Sequence, residues 1–138
     1  MFLIGVPLLV MPFAIYNTIA FLMPGVEWTK PLPPIHIVSG GDWAMTPGDI
    51  LIVFAILILF VEVVKATRIG IRTTIDHMLS AVLFAVILIE FLLVKQAATG
   101  TFFILLTISF VDVLAGFTIT IRTAQRNIEL ESADKIAS

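Results

Sequence analysis

Apolar residues fill four stretches of this chain, at 2–23, 50–68, 76–95 and 101–122. Each is close to the roughly 20 residues that an α-helix needs to cross a bilayer. With 59% hydrophobic and only 13% charged residues over 138 positions, the chain carries far fewer charges than a soluble domain of this size. In hydrocarbon every backbone N–H and C=O must find its partner within the segment, so such stretches become helices. The expected fold is therefore all-α: one integral membrane domain built as a four-transmembrane-helix bundle, with a loop at 24–48 and a polar tail at 123–138.

The first stretch lacks the charged leader and small-residue cleavage site of a signal peptide and reads as a retained helix, bent by Pro7 and Pro12. Thr46-Pro47-Gly48-Asp49 is a helix start with a capping threonine, a proline in the first turn and an acid at the third position. Thr73-Thr74-Ile75-Asp76 has the same form before the third span, and Thr99 or Thr101 suits the start of the fourth. Between the first two spans, Gly40-Gly41 separates two short apolar runs and predicts a small β-hairpin at about 35–45. The tail is polar and mixed in charge. One or two further helical turns followed by loose residues are expected there.

Basic residues set the orientation. Lys65, Arg68 and Arg72 follow the second span, and Arg122, Arg126 and Lys135 follow the fourth, whereas the other side holds only Lys30 and Lys95. The positive-inside rule places both termini in the cytoplasm and the 24–48 loop outside. Trp28 and Trp43, together with Lys65 and Arg68, then serve as interface anchors.

Ionisable groups within spans are costly, about 3 kcal/mol for a charged carboxylate at the bilayer centre, and often functional. Three spans hold one each: Glu62, Glu90 and Asp112. In depth they form steps from Glu90 near the outer side through Asp112 to Glu62 near the inner side, which is the pattern of a proton relay. Their neighbours offer competing structural readings. Lys65 follows Glu62 by three positions, so the two can pair on one helix face. Ser109, Asp112, Gly116 and Thr120 form one small, polar stripe suited to close helix packing. Glu90 has bulky apolar neighbours, with Ser80, Ala81 and Ala85 on a second face read as opposite to it, and so hints at a partner chain.

With no cysteine and only His36 and His77, the chain offers no metal-ligating or thiol chemistry, and no phosphate loop or nucleophile motif is present. Asp76-His77 reads as a helix start and not as a general base. No enzyme activity, cofactor or nucleic-acid partner is expected. The runs Met1-Phe2-Leu3-Ile4-Gly5-Val6-Pro7, Pro12-Phe13-Ala14-Ile15-Tyr16-Asn17 and Val111-Asp112-Val113-Leu114-Ala115-Gly116-Phe117 resemble short uncharacterised four-span proteins of alphaproteobacteria. That resemblance implies a bacterial inner membrane and carries over no functional residue. The expected role is that of an accessory or scaffold subunit of a larger inner-membrane complex, or a homo-oligomer, in contact with the lipid bilayer. The alternatives are a small proton or cation channel or coupled transporter using the carboxylates, and a lipid- or quinone-binding protein.

Because the chain has no native cysteine, the orientation is open to a direct test. A thiol introduced by Ser39→Cys is expected to react with a membrane-impermeant maleimide in intact spheroplasts. One introduced by Ser132→Cys is expected to react only after lysis.

Overall fold

A computed structural model describes residues 7–67 and 71–137. Four α-helices run in the order α1 (Val10–Leu22), α2 (Pro47–Ala66), α3 (Ile71–Leu93) and α4 (Gly100–Ala137). Two short strands, β1 (Ile35–His36) and β2 (Asp42–Trp43), lie between α1 and α2, and a 3-10 turn at Lys95–Ala97 joins α3 to α4. Three of the helices are long and apolar enough to cross a membrane: α2, α3 from Thr74 onwards, and α4.

α1 is shorter than the 2–23 stretch suggested. Its 13 residues rise about 20 Å, at about 1.5 Å each. Residues 1–6 lie outside the described residues. The two prolines do not bend it. Pro7 precedes the helix and its carbonyl accepts from Val10 N, while Pro12 sits in the first turn, where a missing N–H breaks no helical hydrogen bond.

α2 begins as its sequence requires. Thr46 Oγ1 accepts from Asp49 N at 3.0 Å and Asp49 Oδ2 accepts from Thr46 N at 3.1 Å, which closes a capping box with Pro47 just inside it. α3 departs from expectation: it is already helical at Ile71, so Asp76 lies within the helix and not at its start. α4 is capped by Thr99, whose Oγ1 accepts from Phe102 N at 3.1 Å. It then continues through the whole polar tail to Ala137, where loose residues were expected. Strong helix formers, with Glu131 and Lys135 at the favourable i,i+4 spacing, favour helix beyond the apolar stretch.

The predicted hairpin is present. β1 and β2 pair antiparallel with Ile35 opposite Trp43 and His36 opposite Asp42. Gly40 turns the chain with φ 93°, a conformation that side chains other than glycine rarely adopt. The His36 Nδ1 to Asp42 Oδ1 contact of 3.0 Å lies exposed across the pair.

α4 is the centre of the assembly. Within the chain, 39% of its apolar window is buried, against 22% for α2 and for α3. α2 and α3 pack chiefly against α4 and little against each other. The core gathers Tyr16, Leu51, Ala55, Ile87, Phe102 and Leu105 from all four helices. Most other large apolar side chains of α2 and α3, among them Leu57, Phe60, Val82 and Leu92, point outwards. The bundle thus has a hairpin end, holding β1, β2 and the 95–99 turn, and a tail end, where α2 stops, α3 starts and α4 runs on.

Gly48 marks the tightest approach at the hairpin end. Its N–H donates to Trp28 O at 3.0 Å, and a Cβ there would lie 2.9 Å from that same carbonyl and against Thr101 Oγ1. Gly48→Ala therefore forces backbone to move. It is expected to cost about 1–3 kcal/mol, the usual range for overpacking, read as a lower unfolding midpoint in mixed detergent micelles.

Candidate functional site

Buried polar side chains collect in two places. The larger group lies at the tail end, where α2 contributes Glu62 and Lys65, α3 contributes Asp76, His77 and Ser80, and α4 contributes Asp112. Five of these, Glu62, Asp76, His77, Ser80 and Asp112, are buried. Lys65 Nζ lies 3.4 Å from Glu62 Oε1 and 3.4 Å from Asp76 Oδ2, so one ammonium bridges α2 to α3. Glu62 Oε1 also accepts from the backbone N–H of Leu8, just ahead of α1. That donor belongs to the positive end of a helix, which favours a carboxylate. Ser80 hydrogen-bonds to the Asp112 carboxyl, and Glu62, Asp76 and Lys65 are all within electrostatic reach of it.

The small-residue stripe on α4 is what lets α3 come close enough. Ser109, Asp112 and Gly116 are all buried, while the side chain of Thr120 lies outside the described residues. At Gly116 a Cβ would stand 2.6 Å from His77 Nδ1 and 2.8 Å from its Cε1, so the imidazole occupies the space that a side chain would need. His77 Nε2 and Asp76 Oδ1 are buried without a hydrogen-bond partner among the described residues.

The second group lies towards the hairpin end. The Asn17 side chain hydrogen-bonds to the Glu90 carboxyl, joining α1 to α3. Asn17 Oδ1 and Glu90 Oε2 have no further partner among the described residues. Next to them, Tyr16 Oη is 2.8 Å from Gln96 O and 2.8 Å from Thr99 Oγ1. Its ring stacks on Trp28 at 4.6 Å between centroids and meets Phe102 edge-on.

This arrangement revises several readings of the sequence. The Glu62–Lys65 pair is present, extended by Asp76. The stepped order of three acids is not one path. Asp112 joins Glu62, whereas Glu90 is some ten residues along α3 from Ser80, or about 15 Å by helical rise. Leu83, Ile87, Phe102, Leu105 and Leu106 fill the core between the two groups. The two-faced reading of α3 fails as well. Ala85 is exposed, Ser80 is buried, and Glu90 follows Leu83 and Ile87 on the inward side, where Asn17 meets it. Trp28 is half-buried on Tyr16, whereas Trp43 is exposed, and Arg68 lies outside the described residues.

Sequence reasoning does not single out Asp76, His77, Asn17 and Tyr16 as site residues. The cap-like run hides the first two, though both repeat the α3 inward face at i, i+3 or i+4 spacing to Ser80. Nothing in the sequence alone aligns α1 with α3, so the Asn17–Glu90 contact has no signal there.

A shallow apolar groove of about 260 Å³ opens between α1 and α2, lined by Ile15, Ile19, Trp28, Pro47, Ile50, Leu51 and Phe54. No group of three metal-ligating side chains is found among the described residues. No known protein family matches the chain, and neither does any curated protein or solved structure.

The Asn17–Glu90 contact is measurable by a double-mutant cycle. Asn17→Leu and Glu90→Leu are each expected to destabilise the bundle. The double variant is expected to lose less than the sum, with a coupling of about 0.5–3 kcal/mol, as for residues in direct contact. Strict additivity in unfolding measurements would place Glu90 against something other than Asn17.

Proposed function

We propose that this chain is a non-catalytic, four-span protein of a bacterial inner membrane, N-in and C-in, that works by association: an accessory or scaffold subunit of a larger membrane complex, or a homo-oligomer. The observation that carries this reading is the length of α4. The helix runs 38 residues, and its stretch beyond 122 leaves Ile128, Leu130 and Ile136 exposed at 63%, 60% and 86%. An isolated helix of some 15 residues is marginal in water and normally draws its stability from a face packed on something else. This extension has no covering segment among the described residues, so a second chain is the natural source of one. The outward apolar faces of α2 and α3 suit either lipid or neighbouring spans. In this reading α1, though short, is the fourth span.

A second reading, a proton or cation channel or coupled transporter, draws on the buried carboxyls. The apolar layer between Glu90 and Asp112 opposes a continuous path through the bundle. Lipid or quinone binding draws on the apolar groove beside Trp28.

Extraction of the full chain from its native membrane in a mild detergent, followed by native mass spectrometry, tests the association. The expected result is a stable assembly, with itself or with other membrane proteins, that weakens when 124–138 is deleted. A homogeneous single chain with nothing bound, from membranes in which crosslinking also finds no neighbour, would sink the proposal.

A further inference from the structure

The tail-end cluster holds more carboxyls than its described cations match. Glu62, Asp76 and Asp112 are 3%, 4% and 6% exposed, and they converge from three helices. Among the described residues, Lys65 is the cation that reaches them, and it already lies against both Glu62 and Asp76. The Arg68 and Arg72 side chains lie outside the described residues. Glu62 has a second donor in the Leu8 N–H. Asp112 has the neutral hydroxyl of Ser80 as its hydrogen-bond donor among the described residues, and feels Lys65 only at longer range, after Glu62 and Asp76. A charge in so dry a setting is costly unless it is paired, and neighbouring carboxylates resist being ionised together.

The cluster is also incompletely bonded. Asp76 places Oδ2 on Lys65 and leaves Oδ1 buried with no donor among the described residues, and the neighbouring His77 leaves Nε2 in the same state. Unused hydrogen-bonding capacity beside acids that outnumber their described cations is what a proton-binding site looks like, because a bound proton supplies both a charge and a donor. The apolar layer of Leu83, Ile87 and Phe102 closes the cluster towards the hairpin end. Lys65, in the last turn of α2, has a side chain that is 12% exposed.

We propose that Glu62, Asp76 and Asp112, with Lys65, His77 and Ser80 around them, form a site that binds one exchangeable proton from the tail end of the bundle, with Asp112 as the carboxyl that carries it. The proton comes from water, forms an O–H bond on an Asp112 carboxylate oxygen, and leaves by the same route; no other bond changes. Among the described residues, the groups that act on Asp112 are Glu62 and Lys65 from α2 and Asp76 and Ser80 from α3; His77 lies against Gly116, one turn along α4, and the Leu8 N–H lies on Glu62. The site is a dead end and not a conduit. It is independent of Glu90 and of the association proposed above, since it lies wholly within one chain.

Infrared spectroscopy of the full chain in nanodiscs tests this through the carbonyl stretch of a protonated carboxyl. At neutral pH exposed carboxyls are ionised and silent in that region. The wild type is expected to show a protonated-carboxyl band that shifts in D2O and fades as the pH is raised, and Asp112→Asn is expected to lose it. Glu90→Gln, which leaves the cluster untouched, is expected to keep it, and this variant decides the matter should Asp112→Asn fail to fold. No such band in the wild type, an unchanged band in Asp112→Asn, or loss of the band in Glu90→Gln would each overturn the proposal.

Discussion

The ammonium of Lys65 sits between Glu62 of its own helix and Asp76 of the next, 3.4 Å from an oxygen of each. Much of the tail end depends on that placement. α2 and α3 pack little on one another, so this bridge does what side-chain packing does not. It also fixes the Glu62 carboxylate where the Leu8 N–H can reach it, which docks the start of α1. One cation therefore relates three helices. Breaking a buried pair by removing one partner leaves an uncompensated charge, which is usually worse than never having had the pair. The arrangement is specific more than it is strong.

α4 supplies the surface on which this is built. Small and polar residues at Ser109, Asp112 and Gly116 recur at helical spacing, and they let α3 lie close enough for His77 to cover Gly116. Where lipid replaces water, apolar burial does not drive helices together, and close packing with interhelical hydrogen bonds takes over. The hairpin half uses the same means with different residues. Tyr16 fastens α1 to the 95–99 turn through its hydroxyl and to Trp28 through its ring, while Asn17 reaches Glu90. Short as α1 is, polar contacts hold it just ahead of its first turn and again at its middle.

Features governed by neighbours along the chain are legible in the amino-acid sequence. The Thr46–Asp49 capping box, the Gly40 turn, the Thr99 start of α4 and the Glu62–Lys65 pair all depend on residues within a few positions of each other. Features governed by how helices align are not. Depth along each helix places Glu90, Asp112 and Glu62 in one series, but depth says nothing of what packs between them: Asp112 meets Glu62, whereas a layer of apolar side chains sets Glu90 apart. Thr73-Thr74-Ile75-Asp76 misleads for a related reason. A capping box is a local pattern, and the helix, already formed at Ile71, overrides it and makes Asp76 a partner for Lys65 instead of a cap. The prolines mislead by position: Pro12 lies inside the apolar stretch but in the first turn of the helix, where it costs no hydrogen bond.

The two polar groups differ in a way that bears on what the bundle can do. Near the hairpin end, an amide meets one carboxyl through a single hydrogen bond. At the tail end, three carboxyls share one described ammonium, so the set has more than one arrangement of charge and hydrogen bonds within easy reach. A bundle whose halves are separated by packed Leu, Ile and Phe side chains cannot pass an ion between them without opening that core. Its tail end can still change charge state alone. That change would act on the docking of α1 through Glu62 and on the register of α3 through Asp76, and α4 carries the cluster's third acid on the same continuous helix that extends beyond it as the tail. The cluster and the exposed stretch beyond 122 are thus joined by one continuous helix.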